Sequence, residues 1–433
     1  MTASQMTGSS SLGRLVSILK VRNFSLLWCS SIFSGLSENM SAIILAWLVL
    51  KLTDSPFYVG LWAATRFVGM PLGIVIGSLA DRLPRRNLLL AVKALMVAVA
   101  AGMLVLLSMD KIIIWPIFAL TFIKGIFTAT LMPVQLPLIA DVVSPKQLPN
   151  ALPLSTMGQN ATSLFGPFLG GLLFALLGPR NSYAVVLALI CIGILAILLM
   201  RPVEQRSAPR GESPLRAILM GIAHVRRNDV LLGILLLIVG FNLTTLILSF
   251  TLMPVFAKDV LGTDAKGLGF LMLMMGVGAI IGSTVMAFLS RMQYLSTGFL
   301  LWTNVFWNAL IILLSVTSLL TYSFGLAALI LVFIGLCQNT MMVGPHLVLL
   351  RESDPEFRGR VIGLRSAAIT PLALSSLYGG ALAELLGTPM ALIIICLAGI
   401  LLTGVLAFGL PGMWRRIPHP ETGRAQSAET TVP

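Results

Sequence analysis

Apolar residues in this chain do not alternate with polar ones at a strand period. They run in stretches of about 20 residues, separated by short polar connections, from Phe24 to Leu410. A stretch of that length covers the roughly 30 Å hydrocarbon core of a bilayer when helical. Barrel strands would be about 10 residues long and would alternate in polarity. The pattern predicts spans over residues 24–50, 57–80, 88–109, 112–138, 151–177 and 183–200, then 231–256, 268–289, 297–316, 324–348, 361–386 and 390–410. The longest polar stretch divides them six and six. Within it Leu215, Ile218, Leu219, Ile222 and Val225 recur at helical spacing opposite Arg216, Arg226 and Arg227. That spacing predicts an amphipathic helix on the cytoplasmic leaflet, with a solvated linker as the alternative. The expected organisation is a tail over 1–23, a six-helix bundle over 24–200, a linker over 201–230, a second bundle over 231–410 and a tail over 411–433. The fold class is therefore an all-α membrane protein of about twelve transmembrane helices in two six-helix bundles.

The two halves echo each other. Asn23 with Leu26, Leu27 and Gly35 matches Asn228 with Leu231, Leu232 and Gly240, and Gly170, Gly171 and Gly178 match Gly379, Gly380 and Gly387. Repeated six-helix units are the plan of many secondary transporters, whose substrate site lies near the bilayer midplane.

Composition agrees with the pattern: 57% of the 433 residues are hydrophobic and 10% charged, against roughly 25% charged in soluble domains. The formal charge of +13 suggests a nucleic-acid partner until its distribution is read. Arginine and lysine crowd alternate connections and both tails, while the intervening connections hold only Lys51, Lys111, Arg180, Lys258 and Lys266. This asymmetry puts both termini in the cytoplasm, in a bacterial inner (plasma) membrane, and removes the case for nucleic acid. The first apolar segment is too long for a cleavable signal, so nothing need be removed from the N-terminus. Cys29, Cys191, Cys337 and Cys396 lie inside apolar runs at no metal-like spacing, and His224, His346 and His419 are far apart. No metal site, disulfide or cofactor is expected. The chain has no phosphate-binding glycine loop and no catalytic constellation, which argues against ATP-driven transport and against an enzyme.

Charges inside the membrane carry the most information, because an unpaired one costs several kcal/mol. Of the sixteen acids only Glu38 falls mid-span. It lies roughly 22 Å along a helix from Asn23, and Arg66 lies about the same depth back from Asp81 on the next, antiparallel span. Lys124, about 18 Å from the far end of the fourth span, reaches a similar level. Glu38 and Arg66 are the candidate proton-coupling pair, and a static ion pair holding two helices is the alternative. Lys93, Arg365 and Glu384 sit near span ends, where snorkelling explains them. Asn39, Lys124, Gln159, Asn242, Gln338 and Asn339 are the candidate substrate-cavity residues, beside Asn160 and a group of methionines.

Two motifs carry a family resemblance. Gly77-Ser78-Leu79-Ala80-Asp81-Arg82-Leu83-Pro84-Arg85-Arg86 resembles the signature loop of the major facilitator superfamily, with Pro84 where glycine is usual. The resemblance implies a cytoplasmic gate of Gly77, Asp81, Arg82, Arg85, Arg86 and Asp141: the aspartate faces the start of the eleventh helix and an arginine pairs with the acid ending the fourth. Gly166-Pro167-Phe168-Leu169-Gly170-Gly171 resembles the helix-packing element of the drug:proton antiporter branch, and a packing role alone is the alternative. Similarity around Trp28, over 46–56 and over 358–364 points to the branch containing the enterobactin exporter and the macrolide efflux pumps. Against it, Thr121 stands where such antiporters often carry arginine, and Lys124 where glutamine is usual. The implied function is export of small amphipathic molecules, drug- or siderophore-like, by proton antiport through alternating access in a monomer. A gradient-coupled importer and a non-transporting sensor on the same scaffold are the rivals. Two cations against one acid at mid-depth tilt the expected cargo toward anionic or phenolic molecules.

Overall fold

The computed structural model describes residues 18–70, 72, 84–109, 112–203, 214–244, 247–291, 296–354 and 356–414, and every regular element among them is helical. In chain order these are α1 Arg22–Thr53, α2 Pro56–Val68, α3 Arg85–Leu107, α4 Ile114–Val142 and α5 Leu148–Leu198. They continue with α6 Pro214–Val225, α7 Asp229–Thr244, α8 Ala265–Arg291, α9 Thr297–Thr321 and α10 Phe324–Glu352, then α11 Arg358–Ala367, α12 Pro371–Leu386 and α13 Thr388–Gly409. Between α7 and α8 residues 247–260 are helical, with π turns at Leu248–Leu252 and Phe256–Val260. Eight helices among the described residues are long and apolar enough to cross a membrane. The predicted fifth and sixth spans are the two arms of α5, which breaks at Gly178 (φ 75°), a conformation that costs glycine nothing.

Polar side chains set several helix starts. Ser296 and Ser323 accept the amides of Phe299 and Leu326, and the Asn228 carbonyl oxygen accepts those of Val230 and Leu231. The predicted eleventh span divides into α11 and α12, because Pro371 has no N–H to continue the helical ladder. The Ala368 carbonyl at that break accepts the side-chain amide of Asn242 at 2.9 Å.

Two compact units emerge. The first comprises Met1–Thr53, Thr65–Pro209 and Asp264–Phe270. Its α1 lies along α5 on small residues: a methyl group at Gly170 would stand 2.8 Å from the Met40 carbonyl oxygen, and one at Gly35 would meet Thr162. Ser30 Oγ donates to the Gly193 carbonyl at 2.6 Å across the same contact. Phe24, Leu27, Leu89, Leu138, Ile139 and Ile197 close one end as an apolar core.

The second unit comprises Asp54–Ala64, Arg210–Thr263 and Leu271–Pro433. Trp307 is fully buried against Phe241, with ring centroids 4.3 Å apart, and Asn304 donates to Thr403 at 2.8 Å. The stretch expected to form an amphipathic helix is helical as α6, where Gly221 faces Leu364 and Arg360 and the His224 ring stacks on Phe357 at 4.3 Å. The Arg360 guanidinium lies 4.9 Å from the centre of that Phe357 ring.

Candidate transport site

Three charged side chains of the first unit converge. Arg66 in α2 donates to Glu38 Oε1 of α1 at 3.0 Å, and Lys124 Nζ of α4 stands 2.9 Å from Glu38 Oε2. Lys124 also donates to Ser41 Oγ at 2.8 Å, and Ser41 lies 3.4 Å from the Tyr183 hydroxyl. Glycine makes the convergence possible: Gly125 beside Lys124 lets the α4 backbone approach the Arg66 carbonyl too closely for any side chain. The trio carries one negative and two positive charges, with side chains 17%, 18% and 11% exposed for Glu38, Arg66 and Lys124. It is neither sealed in protein nor open to bulk water. A carboxylate between two cations can accept a proton only by giving up both attractions, or keep both and hold the helices together.

The other predicted residues are dispersed. Arg85 donates to Asp141 at 2.7 Å, joining the start of α3 to the end of α4. Arg86 donates to the Ile197 and Leu198 carbonyls, capping the end of α5. Gly77, Asp81 and Arg82 lie outside the described residues. Gly166 and Gly170 face Asn39 and Met40 of α1, and Gly171 faces Ala265 and Gly269 of α8, so this element packs helices at three points. Pro167 is buried inside α5. Asn39 spends its amide on the Gly35 carbonyl one turn back, and Gln159 is exposed. Asn242 is buried and committed to the break at Ala368. Gln338 accepts from Ser249 at 3.4 Å, and the neighbouring Asn339 is half-buried.

One group was misread from sequence. Lys93, expected to snorkel toward the membrane surface, is fully buried and donates to Ser34 Oγ and the Ser30 carbonyl of α1. Its axial position near a helix end allowed escape, but its face of α3 points at α1.

With this geometry in hand, likeness to known proteins narrows the reading. The model of the family described as transmembrane secretion effector matches residues 15–423. The multidrug efflux pump Tap of Mycolicibacterium fortuitum is 24% identical over 399 residues, covering 89% of this chain and 95% of the pump. The enterobactin exporter EntS of Shigella boydii serotype 18 is 26% identical over 270 residues, 62% of this chain and 64% of the exporter. Among solved structures, a bacterial homologue of the human lysosomal transporter Spinster superposes with a TM-score of 0.71 at 14% identity, covering 92% of this chain and 99% of the other. A bacterial homologue of ferroportin gives 0.67 at 15%, covering 91% and 99%. The structural likenesses speak for the fold, and the family match over nearly the whole length speaks for kinship: this chain belongs to the transmembrane secretion effector family, multi-pass transporters of the major facilitator superfamily and not enzymes.

Proposed function

We propose that this transporter exports small amphipathic molecules, drug- or siderophore-like, in exchange for protons, by alternating access between two six-helix bundles over 24–200 and 231–410. The observation that carries the reading is the Glu38 carboxylate between Arg66 and Lys124. A titratable acid at mid-membrane depth, flanked by cations that compete for its charged form, has the chemistry of a proton carrier. Two relatives named as an efflux pump and an exporter favour the outward direction. The distribution of basic residues favours cytoplasmic termini in a bacterial inner membrane. In this reading the Arg85–Asp141 ion pair belongs to a cytoplasmic gate of which Asp81 is a further member. The working unit in this reading is a monomer.

The test uses purified protein in proteoliposomes with an imposed pH gradient, against panels of siderophores and of drugs. Uphill substrate movement that follows the gradient, with loss of that response in Glu38→Gln, is the expected result. A folded Glu38→Gln protein pumping uphill at the wild-type rate would remove Glu38 from coupling. Movement down the substrate gradient only, untouched by pH, would remove proton antiport.

A further inference from the structure

The segment Asp54–Ala64 groups with the second unit although the chain on either side of it groups with the first. Its hold on α12 has two parts. One is a glycine pair: a methyl group at Gly380 would stand 2.8 Å from the Pro56 carbonyl oxygen, and one at Gly60 would collide with the Ser376 carbonyl. The other is an acid. One turn beyond Gly380, Glu384 Oε2 accepts the Ser55 hydroxyl at 2.8 Å and the Phe57 amide at 3.3 Å. Ser55 precedes the first residue of α2 and would ordinarily turn its own oxygen toward the free amides of the helix start. Here its hydroxyl donates outward and a carboxylate from another helix takes the amide, facing the positive end of α2. Beside it Lys258 pairs with Asp54.

The repeat supplies a comparison within the molecule. Gly171, which matches Gly380 in the internal repeat, meets Ala265 and Gly269 by the same kind of close backbone approach. There the start of α8 is capped by its own Asp264, which accepts the Gly267 amide at 2.9 Å. One glycine contact is thus completed by an acid from the neighbouring helix, and its counterpart is not.

We propose that Glu384 is a gating residue: it caps α2 from α12, and the strength of that cap sets how long the Asp54–Ala64 segment stays docked during the transport cycle. Glu384 acts on the conformational equilibrium through α2 and does not touch substrate. The proposal rests on the alternating-access reading, because only a cycle that moves α2 gives the cap something to time.

The test reads docking directly. Val59, fully buried in the docked segment, is changed to cysteine in a background with Cys29, Cys191, Cys337 and Cys396 replaced by alanine. The purified protein in nanodiscs is then titrated with a water-soluble maleimide. Glu384→Ala should raise the labelling rate about two- to fivefold, the range expected for losing an exposed acid at a helix start. Glu384→Gln, which keeps an acceptor but no charge, should fall between. Equal labelling in all three proteins with matching melting temperatures overturns the gate. So does faster labelling that tracks a lowered melting temperature in both variants, since that marks general loosening. Failure of the transport reading looks different: wild-type protein would move no substrate under any gradient, whatever the labelling rates.

Discussion

Glu38 is the residue on which most depends, and its surroundings change what its removal should do. A single ion pair would lose one partner on neutralisation. This site leaves two cations, Arg66 and Lys124, facing a neutral amide and each other. Breaking a buried pair costs about 3–5 kcal/mol, and partial exposure puts this site at or below the lower end. Glu38→Gln should therefore lower the melting temperature of the solubilised protein, and adding Lys124→Gln should restore most of it by removing the excess charge. Neither variant should respond to a pH gradient in vesicles. A double variant that regains gradient-driven transport would show that the proton travels elsewhere. Counting residues along three predicted helices was enough to put Glu38, Arg66 and Lys124 at one depth, because rise per residue is fixed. The same counting misread Lys93: depth is axial, whereas burial depends on which face a neighbouring helix covers, and no residue count carries that angle.

At the scale of elements, packing rests on backbone contacts that only glycine permits. A methyl group at Gly335 of α10 would collide with the Met275 carbonyl of α8, while Gly404 of α13 has nothing within 4 Å. Gly335→Ala should sharply reduce the yield of folded protein. Gly404→Ala should leave it unchanged or raise the melting temperature slightly, since alanine is favoured over glycine in a helix by about 1 kcal/mol. A tolerated Gly335→Ala would mean that the two helices can part without cost.

The neighbourhood of the Asp54–Lys258 pair adds a pH-dependent element. Burial first, and then the nearby Asp54 and Glu384 charges, push the Asp259 carboxyl above its ordinary value, while Lys258 opposes them. For an acid raised in the folded state, the protonated form is the favoured one. Its contribution to stability is greatest at acid pH and is lost as pH rises through the raised range. Melting scans across the weakly acidic range should show the wild type losing stability with rising pH, and Asp259→Asn flattening that slope. A slope identical in both proteins would assign the dependence to other groups. Helix existence was plain in the apolar runs, while residues 73–80 of the predicted second span lie outside the described residues. The break between α11 and α12 was less so: Thr370-Pro371 interrupts a strongly apolar stretch, and hydropathy outweighed the missing N–H. An amide in an apolar span is conspicuous in the sequence, whereas the carbonyl that accepts from Asn242 is contributed by Ala368, far along the chain.

For the molecule as a whole, the twofold sequence repeat and the two compact units do not share borders. The linker over 201–230 separates the repeats, yet the first unit takes Asp264–Phe270 from beyond it, and the second takes Asp54–Ala64 from before it. The chain's repeats were legible because matching glycines recur in order; this crossing over was not, because short stretches of apolar helix look alike whichever neighbours they join. A practical consequence concerns cutting the protein. Severed between residues 204 and 213, each fragment would carry a strip that its own body does not house and would lack one that it does. Neither fragment made alone should survive cellular proteases, whereas both made together should accumulate, be recovered as a complex through a tag on one, and regain transport. Stable accumulation of either fragment by itself would show that the borrowed strips are ornamental; mutual rescue would make the transporter an obligate partnership of two halves written on one chain.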